Sequence, residues 1–222
     1  MIWFIVIAVV VIVFYAIVSR GTSIKSVEDE YDNNEEEAIP LSITVTTINH
    51  KLQDGIKGSN MDSQMLKQHG FEGFVTIGKL KSDPNQIPTK QGVYAVLLPE
   101  NGKPAFLETG TGGFFKDKNP NVPIAELKAN WVDNTDIIYI GKAGGSSSKA
   151  TLQSRLIQYL KFGMGMKIGH WGGRYIWQLA NSDNLIICWK PTKQDAHDVE
   201  SEMIEQFKRE HNGCRPFANL KD

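Results

Sequence analysis

The last predicted helix places one carboxylate among apolar residues. The pattern runs from Asp195, a residue type suited to cap a helix N-terminus, to His211, and Asn212-Gly213 follows as a terminator. At about 100° per residue, Glu200 falls inside the arc that holds the apolar side chains of Ala196, Val199, Met203, Ile204 and Phe207. His197 borders the polar face and is expected to be solvated. An ionised carboxylate on a buried face is costly unless it is paired or binds a metal. Glu200 is therefore either half of a structural Glu–Arg pair or a metal-holding or acid–base carboxylate.

Three more side chains with useful chemistry lie on predicted elements upstream. Tyr94 belongs to a strand predicted over residues 92–98, and Tyr139 to one predicted over 136–141. Arg155 lies on a helix predicted over 149–162, close to its apolar face. A planar guanidinium suits a phosphate oxygen better than an ammonium does. A phenol, with a pKa near about 10, is a poor base at neutral pH unless nearby positive charge lowers that pKa.

The order of these residues resembles the GIY-YIG nuclease family. The resemblance rests on Gly92-Val93-Tyr94, Tyr139-Ile140-Gly141-Lys142-Ala143, Arg155, Glu200, and Pro216 with Asn219. Glu200 is followed by the apolar pair Met203-Ile204, as is usual in the family. The Tyr-Ile-Gly-Lys-Ala segment is the most specific part, and Val93 replaces the family's Ile in the first motif. The similarity covers the chain from about residue 90 to its end.

The resemblance implies a metal-dependent endonuclease that hydrolyses nucleic-acid phosphodiester bonds, with DNA as the expected substrate. Glu200 would hold Mg²⁺ or Mn²⁺, since hard cations prefer carboxylate oxygens. Arg155 would contact a phosphate oxygen as charge develops. Tyr94 would act as general base with Tyr139 assisting, although both tyrosines could instead be half-buried strand residues.

Further positions are predicted around the same site. His170 is a candidate auxiliary proton carrier, and Gly141, Lys142 and Arg174 are candidate substrate contacts. Asn219 is predicted to contact substrate, to tie down the C-terminal segment or to cap a turn. The aromatic residues that could stack on nucleobases, or simply pack in the core, are Trp171, Tyr175 and Trp177.

Alternating strand and helix signals from about residue 71 predict an α+β domain with a small, mostly antiparallel central sheet flanked by helices. Short helices are predicted at 123–131 and 174–179, and a buried strand at 184–190. Forty-four residues separate Tyr94 from Tyr139, where the family has a short hairpin. This insertion, residues 99–135, contains a predicted partner strand at 105–108 and a Gly-rich patch that lacks the ending of a P-loop. The insertion could shape substrate choice or serve packing alone.

The N-terminal region is predicted to be a membrane anchor followed by a tether. Residues 2–18 are apolar or aromatic without a charge, and as a helix they would span about 25 Å, close to the hydrocarbon thickness of a bilayer. No basic residue precedes them, which favours an uncleaved anchor over residues 1–19 rather than a signal peptide. Arg20 and Lys25 follow, so the C-terminal domain is expected in the cytoplasm.

Residues 20–70, including the acidic run 28–37, are expected to be a largely flexible tether with a short helix around 61–68. The folded domain is then expected to span residues 71–222.

Charge and cysteine content restrict the function only loosely. Residues 1–70 contain five Lys/Arg against nine Asp/Glu, and residues 71–222 contain nineteen against sixteen, so the predicted domain is mildly basic. Cys188 and Cys214 do not form a disulfide framework. Two other hypotheses stay open. The domain could be a catalytically silent module that binds nucleic acid or docks a protein, or the chain could act at the membrane through its acidic tether.

Overall fold

The computed structural model describes residues 61–146 and 148–220. The predicted membrane anchor and acidic run lie outside these residues. Within them, one antiparallel sheet has the strand order β1 (Glu72–Thr76), β4 (Ile186–Pro191), β2 (Gly92–Leu97) and β3 (Ile137–Ala143). The described helices are α1 (Ser63–Gln68), α2 (Ile77–Ser82), α3 (Ile124–Asn130), α4 (Leu152–Gly163) and α5 (Ala196–Glu210), and short 3₁₀ turns lie at Pro84–Gln86, Arg174–Gln178 and Ser182–Asn184. The predicted α+β class with a small antiparallel sheet is confirmed. No helix in this described part has both the length and the apolar character needed to cross a bilayer.

Strand β2 is buried along its whole length because both faces of the sheet are covered. On one face, Val93, Ala95 and Leu97 share a core with α1 and α5. On the other face, Tyr94 and Val96 share a second core with α4 and the turn at Arg174–Gln178. Side chains along a strand alternate between faces, so two adjacent residues of one motif serve two separate cores.

The two helices that carry predicted site residues begin at strong capping signals. Thr151 and Ser154 form a reciprocal capping box at the start of α4. Asp195 caps α5 by accepting a hydrogen bond from the backbone of His197 at 2.8 Å. The predicted inward face of α5 is observed, with its most buried residues being Ala196, Met203, Ile204 and Phe207. Full burial of such side chains contributes roughly 1.5–3 kcal/mol each.

Two sequence-based boundaries need correction. Residues 105–108 do not form a partner strand, because both edges of β2 are already paired with β3 and β4. Phe106 instead makes an isolated bridge to Leu179. The folded part also begins before residue 71, since Met61 and Leu66 are almost fully buried in the core beneath α5. Helix α1 therefore belongs to the domain and not to the tether.

The insertion runs alongside the Arg174–Gln178 turn. Leu107 donates its backbone N–H to Gln178 at 2.8 Å, and Thr111 donates to Trp177 at 2.9 Å. The buried Gln178 side chain accepts from the backbone of Val122 at 2.8 Å and donates to Leu107 at 3.1 Å. Since a buried amide must be hydrogen-bonded, these contacts fix the insertion to the domain. The packing role considered for the insertion is thus observed.

Candidate active site

Tyr94 and Tyr139 are brought together by strand register. Tyr94 pairs with Gly141, and Val96 pairs with Tyr139, so the two tyrosines are diagonal neighbours on one face of the sheet. Their ring centroids are 6.0 Å apart in an edge-to-face arrangement. A Cβ at position 141 would lie 2.6 Å from Cζ of Tyr94. The glycine of the second motif therefore leaves room for the tyrosine of the first.

A third tyrosine completes this cluster. Tyr159 from α4 lies with its ring centroid 6.4 Å from that of Tyr94 and 6.0 Å from that of Tyr139. Burial raises the pKa of Tyr94, and it raises the pKa values of Tyr139 and Tyr159 well above the usual range. Tyr159 was not singled out from the sequence. Its position one helical turn after Arg155 was the signal that could have marked it.

Arg155 reaches the cluster from the same helix. Its charge is close enough to lower the pKa of Tyr94, and the neighbouring Tyr139 side chain acts in the same direction. Burial is the larger influence, so the pKa of Tyr94 is raised overall. The Tyr94 side chain, in contrast, raises the pKa of Tyr139. These surroundings favour a phenolate on Tyr94 over one on Tyr139, and the role of Tyr94 as base stays a prediction.

Glu200 reaches the tyrosines from the opposite layer of the fold. Helix α5 packs on the face that carries Val93, yet the Glu200 charge is close enough to raise the pKa values of Tyr94 and Tyr139. This is possible because β3 is an edge strand of the sheet, so a side chain can pass beside it. The side chain of Glu200 is 17% exposed. It is neither fully buried nor solvated.

The partner of Glu200 is a lysine and not the arginine considered from sequence. Lys142 Nζ lies 2.8 Å from Glu200 Oε2 and 2.7 Å from Nδ1 of His197. Lys142, predicted as a substrate contact, is thus engaged with α5. His197 is exposed, as expected, but it also lines the cleft described below.

A cleft of about 960 Å³ opens beside this arrangement. Its walls are the edge of β3, α5, the 171–175 segment, the C-terminal segment and helix α3 of the insertion. Cationic or titratable side chains on these walls are Lys142, Arg174, His197 and Arg215, and acidic ones are Glu126, Glu200 and Glu205. The insertion therefore forms part of the cleft wall in addition to its packing role.

Arg174 and Trp171 lie together at the cleft. The guanidinium carbon of Arg174 lies 4.9 Å from the ring centroid of Trp171 and 4.9 Å from that of Tyr175. Trp171 is 39% exposed, whereas Tyr175 and Trp177 are buried. Of the three aromatics considered for base stacking, Trp171 is the one that presents an exposed ring.

His170 and Asn219 are placed differently. His170 is buried with its ring 4.8 Å from that of Tyr159, and neither ring nitrogen has a hydrogen-bond partner. Burial and then the charge of Arg155 lower the pKa of His170 to about 3. Asn219 accepts from the Ile140 N–H at 2.9 Å and donates to its carbonyl at 2.8 Å. Asn219 thus ties the C-terminal segment to the edge of β3, and His170 lies behind Tyr159 rather than on the cleft wall.

The side chains available as ligands decide which metal ion the site could bind. Among the described residues, no group of three or more His, Cys, Asp or Glu side chains is placed to hold a metal ion. Glu200 offers one hard carboxylate on the cleft wall, and its Oε2 already forms an ion pair with Lys142. Mg²⁺ is commonly held by one or two carboxylates together with water and substrate phosphates. Glu200 therefore fits a magnesium ion shared with a substrate, and does not suit a fully protein-held metal.

Two strands and two helices bring together the four residues that were singled out from the sequence, Tyr94, Tyr139, Arg155 and Glu200. No known protein-family model, curated protein or solved structure matches the chain. The functional argument consequently depends on these side chains and their surroundings.

Proposed function

We propose that the chain is a metal-dependent endonuclease of the GIY-YIG type, which hydrolyses phosphodiester bonds in DNA. The observation that carries this proposal is the convergence of Tyr94, Tyr139, Arg155 and Glu200, of which Tyr139 and Glu200 line the cleft and the other two lie behind its wall. A base, a guanidinium and a hard metal ligand are the groups that phosphodiester hydrolysis needs. The mildly basic composition of residues 71–222 is compatible with a polyanionic substrate.

In the proposed mechanism, Arg155 has two tasks. It donates hydrogen bonds to a phosphate oxygen, and its charge favours the ionised form of Tyr94. Tyr94 takes a proton from the attacking water, while the neighbouring Tyr139 side chain also favours the ionised form of Tyr94. When bound at Glu200, a divalent cation would supply Lewis acidity to the same phosphate. Trp171 offers its exposed ring to a base next to the scissile bond.

A second candidate function is supported by the Lys142–Glu200 ion pair. The pair satisfies the carboxylate, and burial raises the pKa of Tyr94. Both features suit a silent module that binds nucleic acid without cutting it. The two functions differ in whether a divalent cation can replace Lys142 at Glu200.

Plasmid cleavage separates the two candidates. Full-length protein in mild detergent is incubated with supercoiled plasmid and Mg²⁺, with and without a chelator. We expect nicking that requires the metal and is lost in Glu200→Gln. Glu202→Gln is the matched control, because Glu202 is exposed on the same helix and does not line the cleft. Plasmid binding without metal-dependent nicking would reject the endonuclease and favour the silent module.

We further propose that residues 2–18 anchor the chain in a membrane, with the folded domain in the cytoplasm. The support is the uncharged apolar run and the basic residues Arg20 and Lys25 behind it. Full-length protein should remain in the membrane pellet after carbonate extraction. Its domain should also resist a protease added outside intact cells. Recovery of the protein in the soluble fraction would reject the anchor.

A further inference from the structure

Two surface loops expose a group of large apolar side chains. Phe114 is 45% exposed, Met164 is 50% exposed and Met166 is 46% exposed. Phe114 belongs to the insertion, whereas the two methionines follow the end of α4. We call these three side chains the apolar patch. Monomeric soluble proteins rarely leave contiguous apolar surface uncovered, and such surface marks an interaction site.

Backbone contacts hold the two loops together. Gly113 donates its N–H to the carbonyl of Phe162 at 2.8 Å. A Cβ at Gly113 would lie 2.0 Å from the carbonyl oxygen of Met166, so the two backbones are in direct contact. The two loops that carry the patch are thus held side by side, because the insertion packs against the end of α4.

The two segments that carry the apolar patch are rich in lysine. Segments 114–118 and 161–167 contain four lysines, Lys116, Lys118, Lys161 and Lys167, and one acidic residue, Asp117, all of them exposed. The charge of these two segments is therefore +3. Lys116 and Asp117, with φ values of 52° and 58°, form the tight turn between the bridged residues Phe115 and Lys118.

We propose that this patch binds the surface of an anionic lipid bilayer. Exposed apolar side chains accompanied by several lysines are the composition of interfacial membrane-binding surfaces. Two of the three side chains are methionines, which have no planar ring for a nucleobase to stack on, and this favours lipid over nucleic acid as the occupant. The proposal agrees with the apolar run at residues 2–18 but depends on neither that anchor nor the nuclease activity. None of the patch residues or these lysines lines the cleft, so membrane contact would leave the cleft open to substrate.

A pair of fluorescent labels tests the proposal in the full chain. The background is Cys214→Ser, because Cys214 is exposed and Cys188 is buried. An environment-sensitive label is placed at Met166→Cys, or at Glu202→Cys as a matched control on exposed α5 surface. Both proteins are mixed with phosphatidylcholine vesicles that contain about a third phosphatidylserine and brominated acyl chains. Because both proteins carry the same residues 2–18, a difference between the labels reports on the patch.

We expect strong quenching at position 166 and little at position 202. The quenching at 166 should weaken in phosphatidylcholine alone and in high salt, since one lysine near an anionic surface contributes roughly a fivefold gain in binding. Replacing the four lysines with glutamine should reduce it at least fivefold. Equal quenching at both positions, or none at 166, would overturn the proposal. Shielding of position 166 by a DNA duplex but not by vesicles would also overturn it, and would assign the patch to nucleic acid.

Discussion

The ring of Tyr94 occupies the space that a side chain at position 141 would need. The two residues face each other across β2 and β3, and a Cβ on Gly141 would approach Cζ of Tyr94 to 2.6 Å and its hydroxyl oxygen to 2.7 Å. Tyr94 is packed between Tyr139 and Tyr159 and cannot move aside easily. The two short motifs of the sequence are thus one structural unit.

Gly141→Ala tests this relationship. Overpacking of a close-packed core typically costs about 1–3 kcal/mol, so the melting temperature should fall by several degrees, and plasmid nicking should be lost with it. Gly78→Ala is the control, because a Cβ there would come no closer than 3.3 Å to the backbone oxygen of Asp183, and in helix α2 alanine is favoured by roughly 0.5–1 kcal/mol. Thermal unfolding followed by circular dichroism measures both. A Gly141→Ala protein with unchanged stability would show that Tyr94 can shift freely.

Arg155→Lys should lower the nicking rate by on the order of 10²–10³, because a lysine keeps the charge but cannot reproduce the oriented contacts of a guanidinium. DNA binding and melting temperature should change little. The pH optimum should change little, since a lysine keeps the positive charge that lowers the pKa of Tyr94. Arg174→Lys, on the cleft wall but in contact with Trp171 and Tyr175, should retain substantial activity. Nicking by Arg155→Lys at the parent rate would remove Arg155 from the mechanism.

Lys142→Met should lower the Mg²⁺ concentration needed for half-maximal nicking. The lysine ammonium lies 2.8 Å from Glu200 Oε2 and competes with the cation for the same oxygen. The two side chains are 33% and 17% exposed, so the pair is partly solvated and its loss should lower the free energy of unfolding by only about 1 kcal/mol. Magnesium titrations of nicking measure the first quantity and urea unfolding the second. A higher magnesium requirement in Lys142→Met would show that the lysine assists metal or substrate binding.

His170 should make the domain sensitive to acid. Its pKa is lowered to about 3 by burial, so between its ordinary value of about 6.5 and about 3 the unfolded chain binds a proton that the folded chain does not. Above about pH 6.5 the ring is neutral in both states and does not affect the free energy of unfolding. Below that pH the free energy of unfolding falls by up to roughly 1.4 kcal/mol per pH unit. His170→Phe should therefore lose less stability than the parent between pH 7 and pH 4.5. Parallel losses in urea unfolding at these two pH values would contradict the assignment.

Local patterns were sufficient for much of the fold. The apolar face of α5, its Asp195 cap and the strands around Tyr94 and Tyr139 were predicted within a few residues, because side-chain periodicity and capping act over short distances. Strand β1 and helix α2 were missed. Half of β1 is exposed, and α2 is only six residues long, so neither leaves a clear periodic pattern.

The sequence by itself determined which residue types were available for chemistry at Tyr94, Tyr139, Arg155 and Glu200. Only the tertiary structure decided their partners. Lys142 pairs with Glu200 because β3 lies at the sheet edge beneath α5, and Asn219 binds Ile140 because the C-terminal segment covers that edge. Helix α3 reaches the cleft wall because Gln178 holds the insertion. These contacts join residues far apart in the chain, and periodicity within one segment carries no information about which distant segment will pack against it.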